Sequence, residues 1–500
     1  MGELRSTPDG TPGGASRLAD LIAGQARQAP GQVWVEHART GRTVDRAGLA
    51  DLAGAWQRQD LAGSRIGLPV ADPVSFAGLF VALMSAGATV VPVDATAPAA
   101  AIRGVLEAAG VTDVVRVAGE AAGPPAGTRV IEVDSGLMPA YPGRGPVPAE
   151  EGACLLFSSG STGPRKAIRL PVRQLVYVAR CVVEAHGLTD ADRCYNPLPL
   201  FHVNAEVVAL LGSLVSGGTA VLDPGFHRTG FWPLVAERSI TWINAVPAVI
   251  AVLAQEPDVP SGAPPVRFVR SASAPLAASV LERFEGRYGI PVVESYGMTE
   301  AASQITANPL TDRRPGSVGL PVGVDLRVVD SSGAAAGVGD VGRVLVRGAG
   351  VITGYESDGG TGRFDPEGWL DTGDLGARDE DGYLYLAGRA GEVINRGGEK
   401  IFPREIEEVL RAEPAVRDAV VIGRDDDVLG AVPVAYVVTD AGDADRLVRE
   451  LTQRCLEVLP RTHRPAAIQV VPSLPVGPTG KTVRRLVAAQ DAAGRAAARS

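Results

Sequence analysis

Between residues 16 and 300 the chain alternates Ala/Leu-rich stretches long enough for helices with short Val-rich runs such as "ATVVPVD" and "VTDVVRV". Alternation of that kind leaves few folds open, because strands joined through helices lie parallel and need helices on the faces of their sheet. The pattern occurs over 16–150 and again over 151–300, where "ACLLFS", "TAVLD", "TWINAV" and "VRFVRS" are the strand candidates, so two α/β subdomains are expected. The most apolar segment, "SFAGLFVALMSAGATVVPV" from Ser75, is interrupted by glycines. It reads as a buried helix running into a strand, since a membrane span would be longer and more uniformly apolar.

From about residue 316 the texture changes to Gly-punctuated β-structure, "GSVGLPVGVDLRVVD", "GRVLVRG" and "DGYLYLAGR", which predicts antiparallel strands and a small β-barrel. After "AGRAGEV" follow a helix at "PREIEEVLRAE", strands at "DAVVIG" and "VPVAYVVT", and a helix over 444–458, a compact α+β unit. A length of 500 residues with 45% hydrophobic content supports more than one core. A net charge of -9 gives no broad attraction for nucleic acid or anionic lipid. The cysteines at 154, 181, 194 and 455 fall in no metal-ligand spacing, and a cytoplasmic location is expected. Residues 1–15, rich in Gly, Pro and Ser, read as a disordered lead-in.

The stretch "LLFSSGSTGPRKA" (155–167) has the chemistry of an anion cradle: glycines that admit backbone N–H groups, hydroxyl donors, and a lysine. It is not a Walker A loop, because Lys166 is followed by Ala167 rather than Ser or Thr. In form it resembles the signature loop of the adenylate-forming superfamily of acyl-CoA synthetases, adenylation domains and luciferases. The family's other motifs occur in order: "VVESYGMTEAAS" (292–303), "GWLDTGDLG" (368–376), "GRAGEVINRGGEKIFPREIEEVL" (388–410) and "PVGPTGKTVRR" (475–485). The resemblance implies an α/β fold: a large N-terminal domain of two α/β subdomains plus a β-barrel over 16–388, and a small mobile α+β C-terminal domain over 389–500, with a hinge near Gly391.

It also implies a two-step reaction. A carboxylate attacks the α-phosphate of ATP to give an acyl-adenylate and pyrophosphate, and a thiol then displaces AMP. By position in the motifs, Lys481 bridges carboxylate and α-phosphate, Thr299 donates to the α-phosphate, and Glu300 helps to hold Mg2+, a cation that takes oxygen ligands. Tyr296 stacks on adenine with Ser273 and Ala274 nearby, Asp374 accepts from the ribose hydroxyls, and Arg389 is a second nucleotide contact. Ser159, Gly160, Ser161, Thr162, Gly163 and Lys166 form the loop that holds the β- and γ-phosphates. Gly397 and Gly398 match the loop beside the pantetheine tunnel of coenzyme A.

Three positions depart from the family pattern: Arg165 and Ala167 in the phosphate loop, where Pro and Gly are usual, and Gly391 at the hinge, where Asp or Lys is usual. Glycine widens the hinge's φ/ψ range and alanine narrows that of the loop. From about 231 to 410 the wording is closest to the oxalyl-CoA synthetase-like branch, yet Asn204 and Ser303 stand where that branch has histidines. With Ala205, Ala245 and Ser273 they predict a pocket for a bulky monocarboxylic acid, gated by His202. The resemblance makes an acid–thiol ligase using ATP, Mg2+ and CoA the leading expectation, with secondary metabolism as its setting, no nucleic acid partner and no membrane span. The other readings are an enzyme specialised for thioester formation from acyl-adenylate, a free-standing enzyme loading a carrier protein, a non-catalytic homologue and a luciferase-like oxygenase.

Overall fold

The computed structural model describes residues 17–118, 128–134, 136–139, 152–157, 166–255, 266–356, 363–477 and 482–499. A six-stranded sheet runs in the order Arg129–Val133, Asp113–Val117, Arg65–Leu68, Thr89–Pro92, Ala153–Phe157, Ala167–Pro171, parallel except for its last strand. A nine-stranded sheet has a parallel centre of Val292–Tyr296, Phe268–Ser271, Trp242–Ala245, Arg193–Asn196, Thr219–Leu222 and Val33–His37. Short antiparallel strands flank it at both edges.

The apolar segment is the expected helix and strand. Pro73–Ser85 is helical and buried on every side, with Asp72 capping Ser75 N and proline in the first turn, and Thr89–Pro92 follows as a buried strand. Sheet partnership departs from the division read off the sequence at residue 150. Ala153–Phe157 and Ala167–Pro171 close the first sheet, whereas Val33–His37 and Thr43–Asp45 belong to the second. Local hydrophobic pattern identifies a strand but carries no information about distant partners, and Val35 pairs in register with Ala220, far along the chain.

The Gly-punctuated segment forms a four-stranded antiparallel meander, Asp325–Val329, Gly342–Arg347, Leu370–Arg378, Leu384–Arg389. A 3-10 turn, Ala390–Glu392, leads into a smaller C-terminal domain. Its sheet runs Glu399–Ile401, Ile394–Arg396, Gly430–Thr439, Val416–Asp426, with Ala467–Val470 parallel to Gly430–Thr439. Helices Pro403–Arg411 and Ala444–Val458 cover it over a core that includes Ile401, Ile406, Leu410, Val421 and Leu447. Against the larger domain, Arg404 Nη1 donates to the Leu386 carbonyl (2.7 Å) and Ser279 Oγ to that of Arg411 (3.3 Å). Among the described residues no helix is long and apolar enough to cross a membrane.

Candidate active site

The carboxyl ends of the parallel strands collect several of the predicted residues, as open α/β sheets do with their ligands. Trp242–Ala245 ends in Ala245, Phe268–Ser271 leads into Ser273 and Ala274, and Val292–Tyr296 ends in Tyr296 and turns through Gly297 into Thr299–Ala301. A Cβ at Gly297 would overlap the Ser303 backbone, so only glycine permits that turn.

At the expected nucleotide end, Tyr296 Oη donates to Asp374 Oδ2 (2.5 Å) and Arg389 Nε pairs with Asp374 Oδ1 (2.9 Å). Strand register explains the pair, since Asp374 lies directly opposite Arg389 across the meander. Tyr296 and Asp374 are buried while Arg389 is exposed. Burial, and then the Asp374 carboxylate, push the Tyr296 phenol well up, so it remains a donor.

Four residues beyond Tyr296, the buried Glu300 accepts from Tyr355 Oη (2.9 Å), and Arg363 Nη1 lies 3.6 Å from the same carboxylate oxygen. Lys166 Nζ stands 4.5 Å over the centre of the Tyr355 ring. Burial and Glu300 raise the Tyr355 phenol to about 12. Thr299, half-buried, opens the turn that carries Glu300. Ala167 pairs with Phe157 in an ordinary strand, with no positive φ, so alanine in place of glycine is unstrained here.

The predicted acid-pocket residues are also brought together. Asn204 opens a π-helical turn, Asn204–Leu211, and its Nδ2 donates to Ser273 Oγ (3.2 Å). Its Oδ1 accepts from Asn244 Nδ2 (3.1 Å) and from Arg270 Nη1 (3.3 Å). Ser273 (φ 75°), Ala302 (φ 47°) and Ser303 (φ 88°) hold left-handed backbone without being glycine, the kind of strain found at functional sites. Ala205 and Ala245 are fully buried, Ser303 is buried, and Ala274 is exposed. His202 is half-buried beside Phe201, ring centres 4.5 Å apart.

On the C-terminal domain, Gly397 (φ 60°) and Gly398 (φ 94°) turn the hairpin Ile394–Arg396/Glu399–Ile401, and Gly398 N donates to Asn395 Oδ1 (2.9 Å). Gly391 has no positive φ, and a Cβ there meets open space, so this arrangement of the hinge does not require glycine. Lys481 and the loop residues Ser159, Gly160, Ser161, Thr162, Gly163 and Arg165 lie outside the described residues. Within the same terminal motif, Arg484 Nε pairs with Glu392 Oε2 (3.1 Å), tying that motif to the 3-10 turn Ala390–Glu392.

Sequence reasoning missed Tyr355, Arg363, Asn244, Gln304 and Arg270. The one available signal was Arg270, a cation inside the apolar strand "VRFVRS". Among the described residues no group of three or more His, Cys, Asp or Glu could hold a metal. A single buried carboxylate, Glu300, suits Mg2+ that arrives on nucleotide phosphates and keeps water ligands.

The AMP-binding enzyme family matches residues 52–356, and the AMP-binding enzyme C-terminal domain matches 405–481. The chain is similar to the sulfoacetate–CoA ligase of Cupriavidus necator, 36% identical over 495 residues, 93% of this chain and 96% of that protein. It is 35% identical to the oxalate–CoA ligase of Arabidopsis thaliana over 349 residues, 68% of this chain and 67% of that one. ATP-bound MatB from Rhodopseudomonas palustris superimposes with a TM-score of 0.83 at 26% identity, covering 94% of this chain and 98% of that one. With both domains matched and a relative 36% identical over 93% of this chain, the chain belongs to the AMP-binding, adenylate-forming enzyme family.

Proposed function

We propose that this protein is an ATP-dependent carboxylate–CoA ligase working in the cytoplasm, through acyl-adenylate to acyl-CoA with release of AMP and pyrophosphate. The observation that carries the reading is the continuity of Tyr296 and Glu300. Four residues apart, they tie an Asp374–Arg389 cluster suited to a nucleoside to a Glu300–Tyr355–Arg363–Lys166 cluster suited to phosphates. The relatives' names support CoA as the thiol. The four buried, unpaired cysteines support a reducing compartment.

In this reading the Tyr296 ring stacks on adenine, and Asp374 accepts from the ribose hydroxyls, exchanging the protein donors it holds now. Thr299 donates to the α-phosphate while Lys166 and the loop 159–163 neutralise the β- and γ-phosphates. Lys481, an ammonium, stabilises the charge that develops as the carboxylate oxygen bonds to the α-phosphorus and the bond to pyrophosphate breaks. Mg2+ on the phosphates, when bound, supplies further charge neutralisation, with Glu300 as its protein ligand. The thiolate sulfur then attacks the acyl carbon and AMP leaves. Rotation of residues 389–500 near Gly391 exchanges the Lys481 loop for the Gly397–Gly398 hairpin at the site between the two steps.

The test is mass spectrometry after incubation with ATP, Mg2+, CoA and pooled carboxylic acids, oxalate, sulfoacetate and bulky polycyclic acids included. A new thioester with equal AMP is expected. AMP and pyrophosphate formed independently of any acid, or a thioester formed without AMP, would refute the reading.

A further inference from the structure

Arg270 is fully buried in the strand Phe268–Ser271, and no carboxylate pairs with it among the described residues. Its partners are neutral amides: Nη1 donates to the Oδ1 atoms of Asn204 and Asn244 (both 3.3 Å), and Nη2 to Gln304 Oε1 (2.6 Å). Its Nε is buried with no acceptor. Two titratable neighbours, His186 and Cys194, bring no negative charge, and the Asp192 carboxylate near Cys194 is paired with Arg267. Burial, with Arg270 and Arg267, drives the His186 imidazole down to about 3, and burial pushes the Cys194 thiol well up. An uncompensated buried charge is costly, and an apolar side chain of similar size would serve packing better.

A guanidinium can only donate hydrogen bonds, and that fixes the direction of the whole network. Each amide oxygen is turned toward Arg270, so each amide N–H points away. Asn244 Nδ2 is used on the oxygens of Asn196 (2.9 Å) and Asn204 (3.1 Å), and Gln304 Nε2 reaches the Thr306 carbonyl (3.4 Å). Asn204 Nδ2 is turned outward onto Ser273 Oγ (3.2 Å), which leaves the Ser273 hydroxyl hydrogen free to donate. Ser273 is half-exposed and in strained left-handed backbone, directly after the strand that carries Arg270. The network therefore ends in donors, above a positive charge that has no counter-ion among the described residues.

Resting on the ligase reading, we propose that Arg270 is a specificity-determining positioning residue. It locks Asn204 and Ser273 as a donor pair for an acid whose far end carries a second anionic oxygen group, a carboxylate or a sulfonate. The acid then has two charged ends rather than the single carboxylate expected from sequence. Arg270 does not itself touch the acid; it sets the orientation of the pair and the sign of the field there.

The experiment uses the full-length protein and acids matched in size: succinate against butyrate, sulfoacetate against propionate, terephthalate against 4-methylbenzoate. AMP release with ATP, Mg2+ and CoA gives kcat/KM for each, and calorimetry gives binding of the same acids without turnover. The anionic member of at least one pair is expected to be favoured by about tenfold or more. Arg270→Met should bring that ratio to about one through KM, and Arg270→Lys should restore part of it. Equal preference in the wild type, or an equal loss for both members in Arg270→Met with KM unchanged, overturns the inference. If no acid is turned over, binding decides: an anionic preference lost in Arg270→Met sustains the inference while the ligase reading falls, and equal binding sinks it. Should Arg270→Met not fold, Arg270→Lys and Asn204→Leu replace it, a reduced ratio supporting the proposal and an unchanged one refuting it.

Discussion

Glu294, two residues before Tyr296 on the same strand, offers a test of how the two domains are coupled. It is 7% exposed, and burial raises its carboxyl from the ordinary 4.5 to about 7, against the Gly316 N–H that donates to it at 3.3 Å. Arg404 on the helix Pro403–Arg411 lowers it; Glu408 on that helix and Glu285, itself paired with Arg313, raise it. Below 4.5 the group is protonated in folded and unfolded chains alike, and its full contribution is present. Between 4.5 and about 7 only the folded chain keeps the proton, so stability falls as pH rises and the contribution is gone above 7. At about 1.4 kcal/mol per tenfold change in proton affinity, the whole effect is about 3 kcal/mol. Glu294→Gln keeps the size and the acceptor for Gly316 N and abolishes the titration. Urea titrations at pH 5, 6 and 7 should show the variant gaining on the wild type at each step, by about 2 kcal/mol in total. Arg404→Met should move the wild-type inflection to higher pH, because the cation that favours the carboxylate is gone. Parallel pH profiles for wild type and Glu294→Gln would refute the reasoning.

Lys481→Ala is expected to lower acyl-adenylate formation by about 100-fold or more while CoA transfer from synthetic acyl-adenylate persists, read by single-turnover kinetics. Tyr355→Phe removes the phenol that orients Glu300, so the Mg2+ concentration for half-maximal rate should rise about tenfold, measured by magnesium titration at fixed ATP. Gly297→Ala forces a methyl group into the Ser303 backbone and should cost more than about 3 kcal/mol, seen as loss of soluble protein or a large fall in Tm.

The geometry of the cluster proposed to hold the nucleoside was legible because its residues lie in motifs whose neighbours determine their arrangement. "DTGD" and "LAGR" sit on adjacent antiparallel strands, and register alone puts Asp374 opposite Arg389. The phosphate end was half legible: Glu300 and Lys166 stood in motifs, but Tyr355 and Arg363 reach them through tertiary packing that no local pattern encodes. Gly391 and Ala167 were noticed as departures, yet their backbone here asks nothing special of either residue. The proposed acid pocket was read as a set of small residues, and the buried cation proposed to set its specificity lies one layer deeper. Arg270 touches the predicted residue Asn204, but a strand read for apolar alternation treats its charge as an exception instead of a clue.

A second clue was compositional. Of the 48 lysines and arginines, only Lys166, Lys400 and Lys481 are lysines, and every other fixed cation is arginine. For a surface charge or an ion pair the two residues substitute readily, and arginine's planar fork is the stronger partner for carboxylates. A compact ammonium on a flexible stem is different where it must follow a phosphate or a reacting carboxylate through a change of geometry. In a chain with lysine at three places only, those places are where that difference would matter. Two of the three are the motif lysines of the phosphate loop and the C-terminal segment, recoverable from the count without any resemblance. The third is exposed and opposite Asn395 on the hairpin turned by Gly397 and Gly398, the hairpin proposed to serve the thioester-forming step.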